Sequence, residues 1–341
     1  MMSHFIPIIL GSALVAFIAT PLVRQLAHRV GFLDQPSQRK VHLSPMPLMG
    51  GVAIYIGFVA ALLVAGTETF RELLGVVGGA TVLLVIGLWD DRRNIHPLIK
   101  LAGQALAGVL LIWSGIQVTM FSQQWLNIAV TEFWIVGICN AINFLDNMDG
   151  LAAGIAAVAS GFFFVLALVE GLGLVASLAA AVLGACIAFL YYNFNPAMLF
   201  MGDAGSLVLG FILAVLGIKL EFAGRSLAAT WMIPIVILGL PIFDTTLVAL
   251  SRLRRRKPVY QGGKDHTSHR LNQIFGMTPA RSVMTLYLIS AALGLIALML
   301  RDSTPLQAQL IVAGLALVFV VSLVWLEWKF ANGAAAPPSP E

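Results

Sequence analysis

Charged residues are scarce in this chain of 341 residues: Lys, Arg, Asp and Glu together make up 11% of it, where a soluble domain carries about 25%. That shortage excludes an ordinary water-soluble globular protein. Cysteine is scarcer still. The two present, Cys139 and Cys186, each lie inside an apolar run, which argues against a disulfide framework and gives no zinc pattern. No Gly/Ser-rich linker marks off a separate soluble domain. No basic region interleaved with aromatics exists, so the formal surplus of +4 is not a nucleic-acid footprint.

What remains is 59% hydrophobic. The apolar residues gather into eleven runs that approach the roughly 20 residues needed to cross a bilayer: Phe5–Val23, Leu48–Ala65, Leu73–Trp89, Leu98–Ile116, Ile128–Leu145, Leu151–Val169, Leu172–Tyr192, Leu207–Leu220, Leu227–Leu250, Val283–Leu300 and Leu310–Trp328. The expected fold is therefore an all-α integral membrane protein of about eleven transmembrane helices. Residues 1–330 form one polytopic domain, and the Ala/Pro-rich residues 331–341 form a disordered tail. The first run has neither a basic leader nor a small-residue cleavage site, so it reads as a span rather than a cleaved signal.

Orientation follows from Lys and Arg. With loops alternating across the bilayer, sixteen of the twenty basic residues fall on one side, and only Arg71, Lys219, Arg225 and Arg301 on the other. This places the N-terminus outside, the C-terminus in the cytoplasm and the protein in the inner (cytoplasmic) membrane as a multi-pass chain. The same alternation puts Asp90, Asp91, Asp146, Asp149, Asp203 and Asp265 at the cytoplasmic face, with Asp244 in the cytoplasmic half of the ninth run. An acid in or near hydrocarbon costs at least a few kcal/mol and is retained for a reason. Seven on one side point to a divalent cation and a polyanionic substrate.

Five segments carry that chemistry. Arg39-Lys40-Val41-His42 precedes Pro47-Leu48-Met49-Gly50-Gly51 in the first cytoplasmic loop. Asp90-Asp91 closes the third run, where adjacent carboxylates repel unless a cation or proton lies between them. Asn140, Asn143 and Asp146 are three apart and form one polar stripe if helical, followed by Asp149-Gly150. Asn193 precedes Phe200-Met201-Gly202-Asp203-Ala204-Gly205-Ser206, whose amides at a helix start suit phosphate. Gly262-Gly263-Lys264-Asp265-His266-Thr267-Ser268-His269-Arg270 combines phosphate-binding and proton-carrying groups. Each has a plainer reading: a solvated helix end, a hydrogen-bonded helix seam, an N-cap, a basic loop touching anionic lipid. Their joint occurrence on one face is what the plainer readings leave unexplained.

These five ordered segments resemble the polyprenyl-phosphate N-acetylhexosamine-1-phosphate transferases, from the first loop to about Arg281. The resemblance implies transfer of a sugar 1-phosphate from a UDP-N-acetylhexosamine to undecaprenyl (polyprenyl) phosphate, with release of UMP. It implies Mg²⁺, with Mn²⁺ as an alternative. Asp203, with Asp90 and Asp91, would serve the metal, and Asp90, Asp91, His266 and His269 the catalysis. Lys40, His42, Asn140, Asn143, Asp146, Asp149, Asn193, Phe200, Gly202 and Arg270 would bind substrate, with the histidine loop lying over the phosphates and sugar. The first loop and Pro241-Ile-Phe-Asp244-Thr245 look like the GlcNAc branch rather than the branch that uses UDP-N-acetylmuramoyl-pentapeptide. Ser268 departs from the family's frequent His-x-His-His. Expected partners are the two substrates and membrane lipid, and a homodimer stays open. Direct in-line attack by the lipid phosphate is the favoured chemistry, and a two-step route through a phospho-aspartate stays open. The competing class is a secondary transporter, whose acids would lie near the bilayer midplane in repeated halves.

Overall fold

A backbone in hydrocarbon must satisfy its own N–H and C=O groups, so apolar runs of this length fold as helices. The computed structural model describes residues 2–35, 45–65, 70–260 and 262–333. In chain order the elements are α1 (Met2–Arg29), β1 (Leu33–Asp34), β2 (Met46–Pro47), α2 (Gly50–Ala65), α3 (Phe70–Arg93), α4 (Pro97–Ser114), α5 (Gln124–Leu145), α6 (Leu151–Glu170) and α7 (Gly173–Asn193). Then follow α8 (Gly202–Lys219), α9 (Leu227–Thr230), α10 (Ile233–Ile237), α11 (Gly239–Arg254), α12 (Thr267–Phe275), α13 (Pro279–Arg301) and α14 (Pro305–Gly333). The two strands pair antiparallel, Leu33 opposite Pro47, and bracket the first loop. Arg39, Lys40 and His42 lie outside the described residues.

Nine helices among the described residues are long and apolar enough to cross a bilayer, and α2 is a shorter apolar helix. This is a multi-pass membrane protein. The expected ninth span is not one straight helix. It breaks into α9, α10 and α11, with a 68° bend between the stretches Leu227–Ile237 and Gly239–Arg254. Pro234 and Pro241 each remove a backbone donor there, which a continuous helix does not tolerate without a bend. Hydropathy averages over such residues. At the other end, α14 continues through Gly333, three residues into the stretch expected to be tail. Residues 334–341 lie outside the described residues.

The helices pack around α8. In its apolar window 83% of residues are buried, against 6% in α14. α8 contacts α3, α5 and α2, while α1, α2, α6 and α7 form the adjoining half of the bundle. Small residues set the approach. A Cβ on Gly87 of α3 would collide with the backbone of Ala204, and one on Gly51 with the backbone of Gly205. Overpacking of this kind typically costs about 1–3 kcal/mol. Gly87 lies just under one turn before Asp90, so this contact fixes how deep the Asp90-Asp91 pair sits against the start of α8.

Candidate active site

The starts of α2, α4, α6 and α8 and the ends of α3, α5 and α7 meet at one end of the bundle, and the sequence motifs meet with them. Backbone bonds tie the first loop to the segment before α8: Gly50 N donates to Phe200 O (3.0 Å), Gly51 N to Met201 O (2.9 Å), and Phe200 N to Pro47 O (2.9 Å). Gly202 has φ +73°, and a Cβ there would strike the Asp91 carboxylate. Only glycine adopts that conformation readily while admitting so close an acid.

Asp91 closes the junction. Its Oδ1 accepts from Asp203 N (2.8 Å) and its Oδ2 from Ala204 N (3.2 Å). It therefore caps the positive end of α8 from a different helix. The expectation that Asp91 shares in holding a metal meets a different geometry, because both of its oxygens are already engaged by backbone amides.

At the centre lies Lys100, at the start of α4. Its Nζ donates to Asp90 Oδ2 (2.8 Å) and to Asp203 Oδ2. Asp90 Oδ1 accepts from Ile95 N (2.8 Å), which fixes the turn after α3. Asp203 Oδ1 accepts from Asn143 Nδ2 (2.9 Å), which also reaches Ser206 Oγ (2.9 Å). Asp90, Lys100, Asn143 and Asp203 thus come from α3, α4, α5 and α8 and converge on one another. Sequence reading found the acids and Asn143. It used Lys100 only as an orientation signal and passed over Ser206 as a site residue.

The proposed Asn stripe divides. Residues three apart on a helix differ by about 60° in facing, and α5 packs against both α8 and α4. Asn143 faces α8. Asn140 faces α4, donating to Gln104 Oε1 (2.8 Å) and to Val136 O (2.8 Å). Asn193 and Asp149 hold loops rather than a cleft. Asn193 Oδ1 accepts from Gly150 N (3.1 Å) and its Nδ2 donates to Leu199 O (3.0 Å). Asp149 Oδ2 accepts from Asn195 Nδ2 (3.1 Å) and Ala197 N (3.0 Å).

The histidine loop docks on the same end through buried contacts. Asp244, fully buried in α11, accepts from Thr267 N (2.6 Å) and from His266 Nδ1 (2.8 Å). It caps α12 and holds the His266 ring by Nδ1. Ser268 Oγ donates to Asn147 Oδ1 (2.5 Å), and the His266 ring stands edge-on to Phe144 at 6.2 Å. The residue where the family often has histidine is thus the tie between this loop and the Asp146–Asp149 turn. Arg270, expected to bind substrate, is fully enclosed instead. Its guanidinium reaches Asp265 O, Ser251 Oγ, Leu326 O and Glu327, and stacks on Phe330 at 4.4 Å. It fastens α12 to α14.

Known proteins resemble this chain in sequence over most of its length. The profile of glycosyl transferase family 4 matches residues 73–221, a stretch that includes every residue of the Asp90–Lys100–Asn143–Asp203 cluster. A probable undecaprenyl-phosphate N-acetylglucosaminyl 1-phosphate transferase of Bacillus subtilis is 38% identical over 302 residues, covering 86% of this chain and 84% of that one. The chain belongs to glycosyl transferase family 4. A decaprenyl-phosphate N-acetylglucosaminephosphotransferase of Mycolicibacterium smegmatis is 33% identical over 367 residues, covering 96% and 90% of the two chains. A phospho-N-acetylmuramoyl-pentapeptide-transferase of Desulforudis audaxviator is 30% identical over 336 residues, covering 86% and 98%. The expected resemblance to polyprenyl-phosphate N-acetylhexosamine-1-phosphate transferases is borne out, and the GlcNAc branch is the better supported.

Two titratable groups at this end of the bundle, Asp146 and His269, are held away from their ordinary values. Burial, with Asp203 and Asp149 nearby, pushes the Asp146 carboxyl up to about 7. His269 is moved the other way: burial, with His266 and Lys264 beside it, lowers it to about 4, so it is neutral at pH 7. Linkage gives these opposite signs. A raised Asp binds more protons folded than unfolded, so its contribution to stability falls as pH rises from about 4 to about 7 and is flat above. A lowered His contributes the reverse between about 4 and 6.5. The Asp146→Asn variant removes the first contribution alone. Thermal melts in detergent are expected to show the variant gaining on the parent protein from pH 5 to pH 8. A constant difference across that range would remove the carboxyl from the account.

Among the described residues no three His, Cys, Asp or Glu side chains converge closely enough to hold a metal by themselves. The donor chemistry nevertheless fits Mg²⁺, a hard cation commonly bound through one or two carboxylates and completed by water and substrate phosphates. Asp90 and Asp203 supply such carboxylates around a position that already holds an ammonium.

Proposed function

We propose that this chain transfers GlcNAc 1-phosphate from UDP-GlcNAc to undecaprenyl phosphate, releasing UMP and leaving a lipid-linked diphosphate sugar. The observation that carries the reading is the meeting of Asp90, Lys100, Asn143 and Asp203 at helix ends, in a chain whose relatives are named for this transfer. We place this end at the cytoplasmic face of the inner membrane, on the Lys/Arg asymmetry, with eleven crossings if the bent pair and α2 each count as one. That face is where a nucleotide donor and a lipid phosphate can meet.

The lipid phosphate has a second pKa near 6, so it is already mostly a dianion at neutral pH. It needs alignment and charge neutralisation more than a base, which favours direct in-line attack. Bound through Asp203 and Asp90, Mg²⁺ would neutralise the donor diphosphate and the departing UMP. Lys100 offers a second positive charge and a donor to a phosphoryl oxygen. Asn143 fixes the Asp203 carboxylate by its amide. Asp91, through the Asp203 and Ala204 amides, is a positioning residue that orients the first turn of α8. Ser268 and Asp244 hold His266 and His269 against the same end, where a neutral His269 can donate to or accept from the bound sugar phosphate.

Detergent-purified protein given undecaprenyl phosphate and a panel of UDP-sugars tests this. UMP release with label passing into organic-extractable lipid, greatest with UDP-GlcNAc, is the expected result. Release only with UDP-N-acetylmuramoyl-pentapeptide would move the chain to the muramoyl branch, and release with none would return the transporter class.

The Asp90→Asn variant probes the nucleophile's side of the centre. The amide oxygen can still accept from Ile95 N, so the turn survives. Loss of the charge on Oδ2 is expected to lower kcat far more than it raises KM for the UDP-sugar, the pattern of a group acting mainly in the transition state. A rise in KM alone would make Asp90 a binding residue.

A further inference from the structure

A cavity lies at the same end of the bundle, lined by none of the residues of the Asp90–Asp203 cluster. It has a volume of about 1140 Å³ and opens between the α11–α12 connection and the last turns of α14. Its charged lining is Arg252, Arg255, Lys257, Lys264 and Lys329 against the single carboxylate of Asp265. That acid is fully committed: Arg252 holds it through Nε (3.0 Å) and Nη2 (2.7 Å), and Arg255 adds a third bond (2.7 Å). Among the described residues, Lys257, Lys264 and Lys329 have no ion-pair partner. Three exposed ammonium groups therefore face one cavity with their charge uncompensated.

The cavity sits where a membrane lipid would place its head. Trp328 and Phe330 form its α14 side, and Lys329 lies 5.4 Å from the Trp328 ring, a pairing that suits the bilayer interface. The last turns of α14 are held by Glu327 to Arg254 and Arg270, by Phe330 under Arg270, and by Trp325 stacked on Phe275. The remainder of that helix, from Leu306 to Val324, exposes large apolar side chains along its length. Acyl chains can lie along that apolar surface while a phosphate head reaches the lysines.

We propose that this cavity binds the phosphate headgroup of an anionic phospholipid, with the acyl chains along α14. The proposal does not rest on the reading of the transfer reaction. It does have a route to the site, since Asp265, held from the cavity wall by Arg252 and Arg255, directly precedes the His266 that Asp244 anchors. A lipid headgroup competing for those arginines bears on the setting of the histidine loop.

The test uses the full chain, delipidated in detergent and offered equal phosphatidylglycerol and phosphatidylcholine, with retained lipid counted by native mass spectrometry. Selective retention of phosphatidylglycerol is expected. The Lys257→Gln/Lys329→Gln variant changes two exposed side chains and is expected to weaken that selectivity about thirty-fold, at the contribution usual for two basic residues near an anionic surface. The Arg24→Gln/Arg29→Gln variant removes equal charge from α1 and should leave it intact. Equal retention of both lipids, or equal loss in both variants, overturns the proposal. Displacement of phosphatidylglycerol by an equal concentration of inorganic phosphate also overturns it, by making the cavity a small-anion site.

Discussion

Replacing Asp203 by Asn is expected to abolish Mg²⁺-dependent transfer, by at least about 10³-fold in kcat, while the protein still folds. The structure separates these outcomes. The bond from Asp203 to Asp91 runs through its backbone N, so the cap on α8 is untouched by a side-chain change. The amide keeps the shape of the carboxylate and can still accept from Asn143 or Lys100. What it loses is the negative charge a hard cation requires. The measurements are UMP release at saturating lipid and millimolar Mg²⁺, and a thermal melt of the same preparation. Parent-like turnover would remove Asp203 from metal binding. A collapsed melt would assign it a structural duty instead.

Asp91 is the instructive contrast. The sequence puts Asp90 and Asp91 side by side as one catalytic and metal-proximal pair, yet successive residues on a helix point about 100° apart. One consequently meets Lys100 and the other the start of α8. An Asn at position 91 has one acceptor for two backbone donors, so its cost falls on α8 packing before it falls on chemistry.

Much of the architecture was legible because hydrocarbon permits few solutions. Long apolar runs become helices, and acids at their ends stand out against a chain with little charge. The break near Pro234 and Pro241 was written in the sequence too, but a reading by hydropathy smooths over it. The roles of Asp244 and Arg270 were not legible, because each is defined by partners supplied from other elements: Thr267 and His266 for one, Leu326 and Glu327 for the other. A buried charge in a membrane protein reads as functional by default. Here two such charges serve to fasten the histidine loop in place, which is function at one remove.

Lys100 is the residue whose importance only the fold reveals, and its removal is the second large effect expected. A lone lysine at the start of a span looks like a topology signal. In place, it stands between two carboxylates that are 113 positions apart in the chain. Lys100→Gln leaves Asp90 and Asp203 facing one another without a cation. Removing one partner of a largely enclosed ion pair commonly costs about 3–5 kcal/mol, reduced here because both carboxylates keep some solvent contact. Lower thermal stability is therefore expected, with Mg²⁺ recovering part of it by occupying the same negative field. Catalysis should behave differently. If Lys100 donates to a phosphoryl oxygen as charge develops, kcat stays down by about 10²–10³ even at saturating Mg²⁺, although the fold has recovered. Lys100→Arg keeps the charge but changes a point ammonium into a planar fork, so it should restore stability more fully than turnover. If Mg²⁺ restores both stability and rate to the glutamine variant, Lys100 is a placeholder for the metal, and the phosphate contact assigned to it is wrong.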